Sequence, residues 1–396
     1  MKKGLLLSVV ASTMIFAGGD IAPVEPAAPA SADFWGQIGF SYDANDVDGG
    51  FGFGDKENNS FSATVVLGVE KEIGYGFGVG FELAGWTDFG WDIAANPRVA
   101  TDTGDRSSAE VSQAYLTYTF GNTAIKAGRQ ALPVAVSPWA WSDRTAGVID
   151  TAFDAVVIAN TDLQDTTLVG AWVASAVAQD DVYHLGADDL GIFMLAAINK
   201  SLANTTVTVS AYYFPDALVK DKDIWSVWAS AVGSFDGVNW GLQAAVVDGD
   251  YAGDATYGVA AKVGSSWGDF DATLVASYIN DGAYSLNLSG TSGFWGNSLG
   301  GFLDNGKGAN GDTTTQVRVD WGYKLGTGKL FGGVGYVAYG DANAAGLDTG
   351  FGARLGYKFN VMGVDAKVEY RYATYDLIGG GDLTKQRVRV EAFYKF

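Results

Sequence analysis

The chain carries a single imidazole, His184, in the stretch Asp180 to Gly186 (DDVYHLG), and no cysteine. A nucleophile–histidine–carboxylate device would have to use that one ring, and no nucleophile motif accompanies it. Transition-metal chemistry lacks its ligands for the same reason. The glycine-rich run Gly74 to Gly80 (GYGFGVG) lies in a strand pattern, so it does not form the strand-to-helix turn that cradles phosphates. Carboxylates recur at close spacing: Asp43, Asp46 and Asp48; Asp102 and Asp105; Asp180 and Asp181; Asp248 and Asp250. Asp43 to Gly49 lacks the glycine and terminal glutamate placement of a dedicated calcium loop. The expectation is therefore no catalysis, no cofactor and no built metal site, with divalent cations held loosely at acidic connections.

The remaining charges are cations at alternating positions, and alternation is a property of strands. In Thr315 to Tyr323 (TQVRVDWGY), Val317, Val319, Trp321 and Tyr323 share one face, and Gln316, Arg318 and Asp320 share the other. Asp365 to Tyr372 sets Ala366, Val368, Tyr370 and Tyr372 against Lys367, Glu369 and Arg371. At the end, Val388, Val390, Ala392, Tyr394 and Phe396 oppose Arg387, Arg389, Glu391 and Lys395. The same parity groups Lys126, Arg354 and Lys358 with the polar set. These eight cations (Lys126, Arg318, Arg354, Lys358, Lys367, Arg371, Arg387 and Arg389) fall mostly in the last five strands. They predict a basic stripe on one wall, partly neutralised by neighbours such as Asp320 and Glu369.

Alternation suits a soluble sandwich as well as a membrane barrel. Spacing separates the two. Eighteen segments of strand character follow one another: 34–43, 60–71, 75–86, 110–120, 123–130, 152–160, 165–174, 190–199, 205–214, 224–234, 238–248, 255–265, 270–279, 314–325, 330–340, 348–359, 362–374 and 386–396. Odd segments lead into long connections such as 44–59, 87–109, 131–151 and 280–313, whereas even ones lead into tight turns such as Gly121-Asn122 and Phe235-Asp236-Gly237. Short turns at one rim and long loops at the other define an all-β, antiparallel, up-and-down transmembrane barrel. Middle segments such as Ala152 to Asn160 (AFDAVVIAN) are apolar on both faces, which leaves sixteen strands as the alternative count. Aromatics at segment ends (Trp86, Tyr118, Phe120, Trp240, Tyr278, Tyr323, Tyr357, Tyr372) are expected in interface girdles.

Composition agrees. Of 396 residues 55 are Gly, about twice the usual share of roughly 7%. Aromatics reach 13%, and mean hydropathy is only +0.09, too low for a helical membrane protein. The net charge of −20 excludes nucleic acid as a partner, because phosphates need a basic surface. Lys2 and Lys3 precede an apolar run from Leu5 to Ala17, too short to span a bilayer, which reads as an export signal. Residues 1–17 are thus the expected signal peptide, with Ala32 the alternative cleavage point; 18–33 (three of seven prolines) form a periplasmic lead, and 34–396 the barrel.

Connection 131–151 (ALPVAVSPWAWSDRTAGVIDT) differs from its peers in being apolar, with Trp139 and Trp141, and a loop of that composition folds against something rather than standing in water. With Gly128-Arg129-Gln130 before it and Asp143-Arg144 within it, the region resembles the eighteen-stranded porins of the OprD-like and Campylobacter-type major outer-membrane-protein families. That resemblance implies a third loop folded into the lumen, a constriction formed by Arg129, Asp143, Arg144 and Asp150, and passive diffusion of small hydrophilic solutes and ions. It also implies assembly as a homotrimer in an outer membrane of lipid and lipopolysaccharide. Arg129 departs from the pattern, since it shares parity with Ile125 and Ala127 and needs a bulge or strand end to turn inward. The terminal Tyr394 and Phe396 resemble the signal read by the barrel-assembly machinery. A structural or adhesive barrel with a closed lumen is the alternative function.

Overall fold

The computed structural model describes residues 32–47, 59–87, 107–139, 142, 151–178, 181–185, 190–216, 222–250, 253–284, 286, 294–295, 313–340 and 346–396. The described residues hold nineteen strands: β1 (Asp33–Val47), β2 (Asn59–Gly74), β3 (Phe77–Thr87), β4 (Ser107–Phe120), β5 (Thr123–Gln130), β6 (Ala152–Asn160), β7 (Thr166–Ala178), β8 (Asp181–His184), β9 (Ile192–Asn199), β10 (Thr205–Phe214), β11 (Ile224–Phe235), β12 (Val238–Gly249), β13 (Thr256–Trp267), β14 (Phe270–Ile279), β15 (Thr314–Leu325), β16 (Gly328–Tyr339), β17 (Leu347–Val361), β18 (Val364–Leu377) and β19 (Asp382–Lys395). Eighteen of them pair antiparallel, each with its neighbour, and β1 pairs with both β2 and β19, so the sheet closes on itself. The sixteen-strand alternative is therefore excluded. The extra strand, β8, pairs only with the end of β7, beyond the stretch of β7 that joins β9. Sequence reading missed it because four residues are too few to show a period.

All eighteen predicted segments fall on barrel strands, and the tight turns fall at one rim. Asp236-Gly237 joins β11 to β12 with φ of 49° and 77°. Both central residues of such a hairpin need positive φ, which Asp tolerates and Gly adopts freely. The β1–β19 ladder that closes the ring runs from Val47↔Lys385 to Gln37↔Lys395, and at its end Phe396 and Gly36 exchange both backbone hydrogen bonds, at 2.9 and 2.8 Å. A Cβ on Gly36 would lie 2.4 Å from the Phe396 ring, so this seam accepts only glycine without a shift.

The two faces of the wall are inverted relative to a water-soluble protein. Outward-facing Leu67, Leu116, Leu195 and Leu355 are 48–70% exposed, whereas inward-facing Asp43, Arg389 and Glu369 are at most 2% exposed. Closure satisfies every ladder group within the ring, so the apolar exterior can lie in hydrocarbon. Girdle aromatics stand where expected at Tyr118, stacked on Phe77 at 4.4 Å, and at Tyr357, stacked on Phe359 at 5.5 Å. Trp86 is a correction. It pairs with Thr64 on the inward face and is buried with Val66 and Ala84, since even positions of β3 point inward.

Candidate functional site

One arc of the interior, from β14 through β19 to β1, carries charge. Pairing register puts side chains of adjacent strands on one face, and here it aligns Lys367 with Glu391, Glu369 with Arg389 and Arg389 with Asp43. Arg389 grips Asp43 with two hydrogen bonds, Nε to Oδ1 at 2.5 Å and Nη2 to Oδ2 at 2.9 Å. This planar fork geometry is the strongest form of such a pair, and it holds two charges that are almost wholly buried. Glu391 lies 3.9 Å from Arg389 and pairs with Lys367. Glu369 accepts from Arg371 at 2.8 Å, with Lys367 at 3.7 Å and Arg354 at 4.0 Å. Arg354 then reaches Asp320 at 2.8 Å, and Arg318 meets the same carboxylate at 2.8 Å. Arg354 and Asp320 sit on strands that are not neighbours; the residue between them in the register is Gly333, which leaves the space clear.

The predicted wall residues thus lie in cationic rows, Arg354 with Arg371 and Arg387, and Lys358 with Lys367, which the carboxylates Asp320, Glu369, Glu391 and Asp43 partly neutralise. Arg387 donates to Asn45 at 2.6 Å, and Lys358 lies in register between Lys329 and Lys367. Lys126 stands apart, on β5, with its ammonium 3.6 Å from the Tyr115 ring centroid. Sequence reading missed three members, Asp43, Lys329 and Asp271. Asp43 was grouped with loop carboxylates, yet β1 runs on to Val47 and turns Asp43 inward. Lys329 pairs with Asp271 at 2.5 Å, and its parity in β16 was the available signal.

Arg129 does not join the ladder. It pairs in register with Ala114 and Asp154, on the same face as Leu116, which is 61% exposed to the outside. Bulges do occur nearby, between Glu82 and Leu83 on the β3–β4 pair and between Asp154 and Ala155 on the β6–β7 pair, but neither reverses Arg129. Its guanidinium instead binds Asp154 at 3.0 Å and the Val111 carbonyl at 3.2 Å, and Asp154 also accepts from Ser175 at 2.7 Å. Its place is the outer face of the wall. Asp143, Arg144 and Asp150 lie outside the described residues.

The opposite arc, β6 to β13, is mainly apolar inside. Phe153, Val169, Val173, Met194, Tyr212, Trp228 and Val247 share one buried cluster with Leu132, Val136 and Trp139 of connection 131–151. Trp139 meets Tyr212 edge-to-face, with centroids 5.5 Å apart. The described residues of connection 280–313 join the same cluster: Phe294 lies against Trp228 at 6.2 Å, and Tyr284 and Leu286 are buried beside them. Sequence reading took that connection as simply long and polar. Its apolar residues are scattered among Gly, Ser and Asn, so composition averaged over the segment concealed them.

These features define a closed, eighteen-stranded barrel of the kind that spans a membrane, apolar outside and charged along one interior arc. No protein-family model and no curated protein matches the sequence. The fold is shared with solved structures. Pseudomonas aeruginosa OccK3 (OpdO) aligns with a TM-score of 0.65 and 16% identity over 92% of this chain and 96% of that one. Pseudomonas aeruginosa OpdK, crystallised with vanillate, gives 0.68 and 13% over 92% and 99%, and Acinetobacter baumannii OccAB2 gives 0.66 and 13% over 92% and 98%.

Proposed function

We propose that this chain is an outer-membrane porin, a water-filled channel through which small hydrophilic solutes and ions diffuse passively. The observation that carries this reading is the inward charge ladder on a closed ring of eighteen strands whose outer face is apolar. Arg318, Asp320, Arg354 and Lys367 keep 16–27% of their side chains exposed on the inner wall, where a barrel of this size has room for water beside them. Asp320, Glu369 and Glu391, set among Arg318, Arg354, Lys358, Lys367, Arg371, Arg387 and Arg389, sort solutes by charge and dipole. Lys126 faces the same lumen from β5. Connection 131–151, whose Leu132, Val136 and Trp139 pack against the inner wall, narrows the bore; Arg129, on the outer face, is left out of this constriction.

Tyr394 and Phe396, stacked 6.1 Å apart at the end of the last strand, serve as the mark read by the barrel-assembly machinery. Residues 1–17 direct export, lipid and lipopolysaccharide surround the barrel, and three copies assemble, as the resemblance implies. Divalent cations gather loosely at the acidic connections.

Single-channel conductance of refolded protein in a planar bilayer, under a KCl gradient, tests the reading. Stable open steps are expected, and the sign of the reversal potential reports whether acidic connections or the cationic wall dominates. Vanillate, found with OpdK, is a first solute to try as a blocker. A silent bilayer from folded barrels would replace the channel with the closed-lumen structural or adhesive barrel.

A further inference from the structure

We infer that Trp295 is a selectivity-determining residue that masks two lumen cations, Lys262 and Arg318, and so keeps the channel less anion-preferring than its wall composition alone would make it. The inference rests on the channel reading.

Pairing register places Gly241, Lys262, Val275 and Arg318 in one inward row across β12, β13, β14 and β15. Adjacent strands are about 4.8 Å apart, so the row spans roughly 14 Å of wall. Trp295, from connection 280–313, bridges it. Its indole lies 4.0 Å (centroid) from the Lys262 ammonium, and its backbone carbonyl accepts from Arg318 Nη1 at 3.1 Å. Its backbone N–H donates to Gln243 Oε1 at 2.9 Å, two residues along β12 from Gly241.

Gly241 makes the slot. A Cβ there would sit 2.7 Å from the indole edge and 2.9 Å from Lys262 Cε, so ring and lysine stem share the volume that a side chain would fill.

The electrostatic consequence follows from what each cation faces. Arg318 is already engaged by Asp320 at 2.8 Å, and the Trp295 carbonyl takes a further donor. Lys262 has its ammonium against the π face, whose negative quadrupole offsets part of the cation's field. Neither presents its full field to the lumen while the indole is seated. Loss of the ring alone exposes Lys262, and an altered loop position exposes both.

Reversal potential under a KCl gradient reads the effect on four variants: Trp295→Ala, Gly241→Val, Lys262→Met, and the Trp295→Ala/Lys262→Met double. Trp295→Ala is expected to lower the K⁺/Cl⁻ permeability ratio about twofold, the combined influence of one exposed charge on a K⁺ and a Cl⁻ ion passing roughly 8 Å away, about one Debye length, in water. Gly241→Val changes no charge and should move the ratio the same way by displacing the indole. Lys262→Met should shift it towards cations and remove most of the Trp295→Ala effect. If Trp295→Ala is poorly folded by heat-modified gel mobility, Trp295→Leu supplies bulk without a π face and should reproduce the shift. Conducting, folded variants whose reversal potential equals that of the parent, or shifts towards cations on loss of the indole, overturn the mask. A parent barrel that is itself silent fails the channel reading and takes this inference with it.

Discussion

The two arcs of the barrel interior are built by the same ladder and differ in what lies over them. From β6 to β13 most inward residues are apolar, Lys262 being an exception, and Leu132, Val136, Trp139, Phe294 and Trp295 from two connections pack onto them. From β15 through β19 to β1 the inward residues are charged and pair along and across the strands. An inward strand face has two ways of being stable: it is covered by apolar side chains, or it faces water and balances its charges. This chain uses one on each side, which leaves the lumen between them asymmetric.

Substitutions that cross this divide should be costly in different ways. The largest loss is expected in the covered arc. Trp228, 2% exposed, packs on Phe294 and donates to Ser226 Oγ at 3.0 Å; Trp228→Ala should destabilise by about 4 kcal/mol, read by urea unfolding in lipid vesicles. A loss below about 1 kcal/mol would mean that the loop cluster is not a true core. In the charged arc, Asp43→Ala removes both hydrogen bonds of the buried Arg389 to Asp43, leaving Glu391 at 3.9 Å, and should cost about 3 kcal/mol. The paired change Asp43→Leu/Arg389→Met should recover most of it, since no unpaired charge is left; equal losses in both variants would show that the ladder is held by packing instead. The smallest effect lies outside either arc. Asp162, in the turn between β6 and β7, accepts from Asn160 at 2.7 Å and Asn122 at 3.0 Å, and these bonds hold its carboxyl below the usual range. A depressed folded-state value stabilises above the unfolded carboxyl pKa and is lost as pH falls through the folded one. Asp162→Asn should therefore flatten a slight loss of stability on the acid side, with no change at pH 7 in which arc governs conductance.

Much of the site was legible before any coordinates. Parity alone assigned Arg318, Arg354, Lys367, Arg371, Arg387 and Arg389 to one face, because a strand's two-residue period leaves no other choice. The same rule flagged Arg129 as out of phase, and the register keeps it so. Asp43 was harder: Asp-Ala-Asn-Asp reads as loop chemistry, and only its pairing with Arg389, 346 positions away, makes it strand. The buried Leu286 and Phe294 and the half-buried Trp295 of connection 280–313 show no period, and their burial follows from the sockets that Gly241 and Gly258 open in the wall.

The strand period, the order of short turns and long connections, and the sorting of apolar and charged side chains to opposite faces are written into the order of residues along the chain. Those are local properties, set by neighbours within about ten residues. Which carboxylate meets which cation, that Arg354 reaches past Gly333 to Asp320, and which connections cover one arc were decided only in the closed barrel. Each depends on the register between strands and on the seam where residue 396 meets residue 36, contacts that no stretch of chain contains within itself.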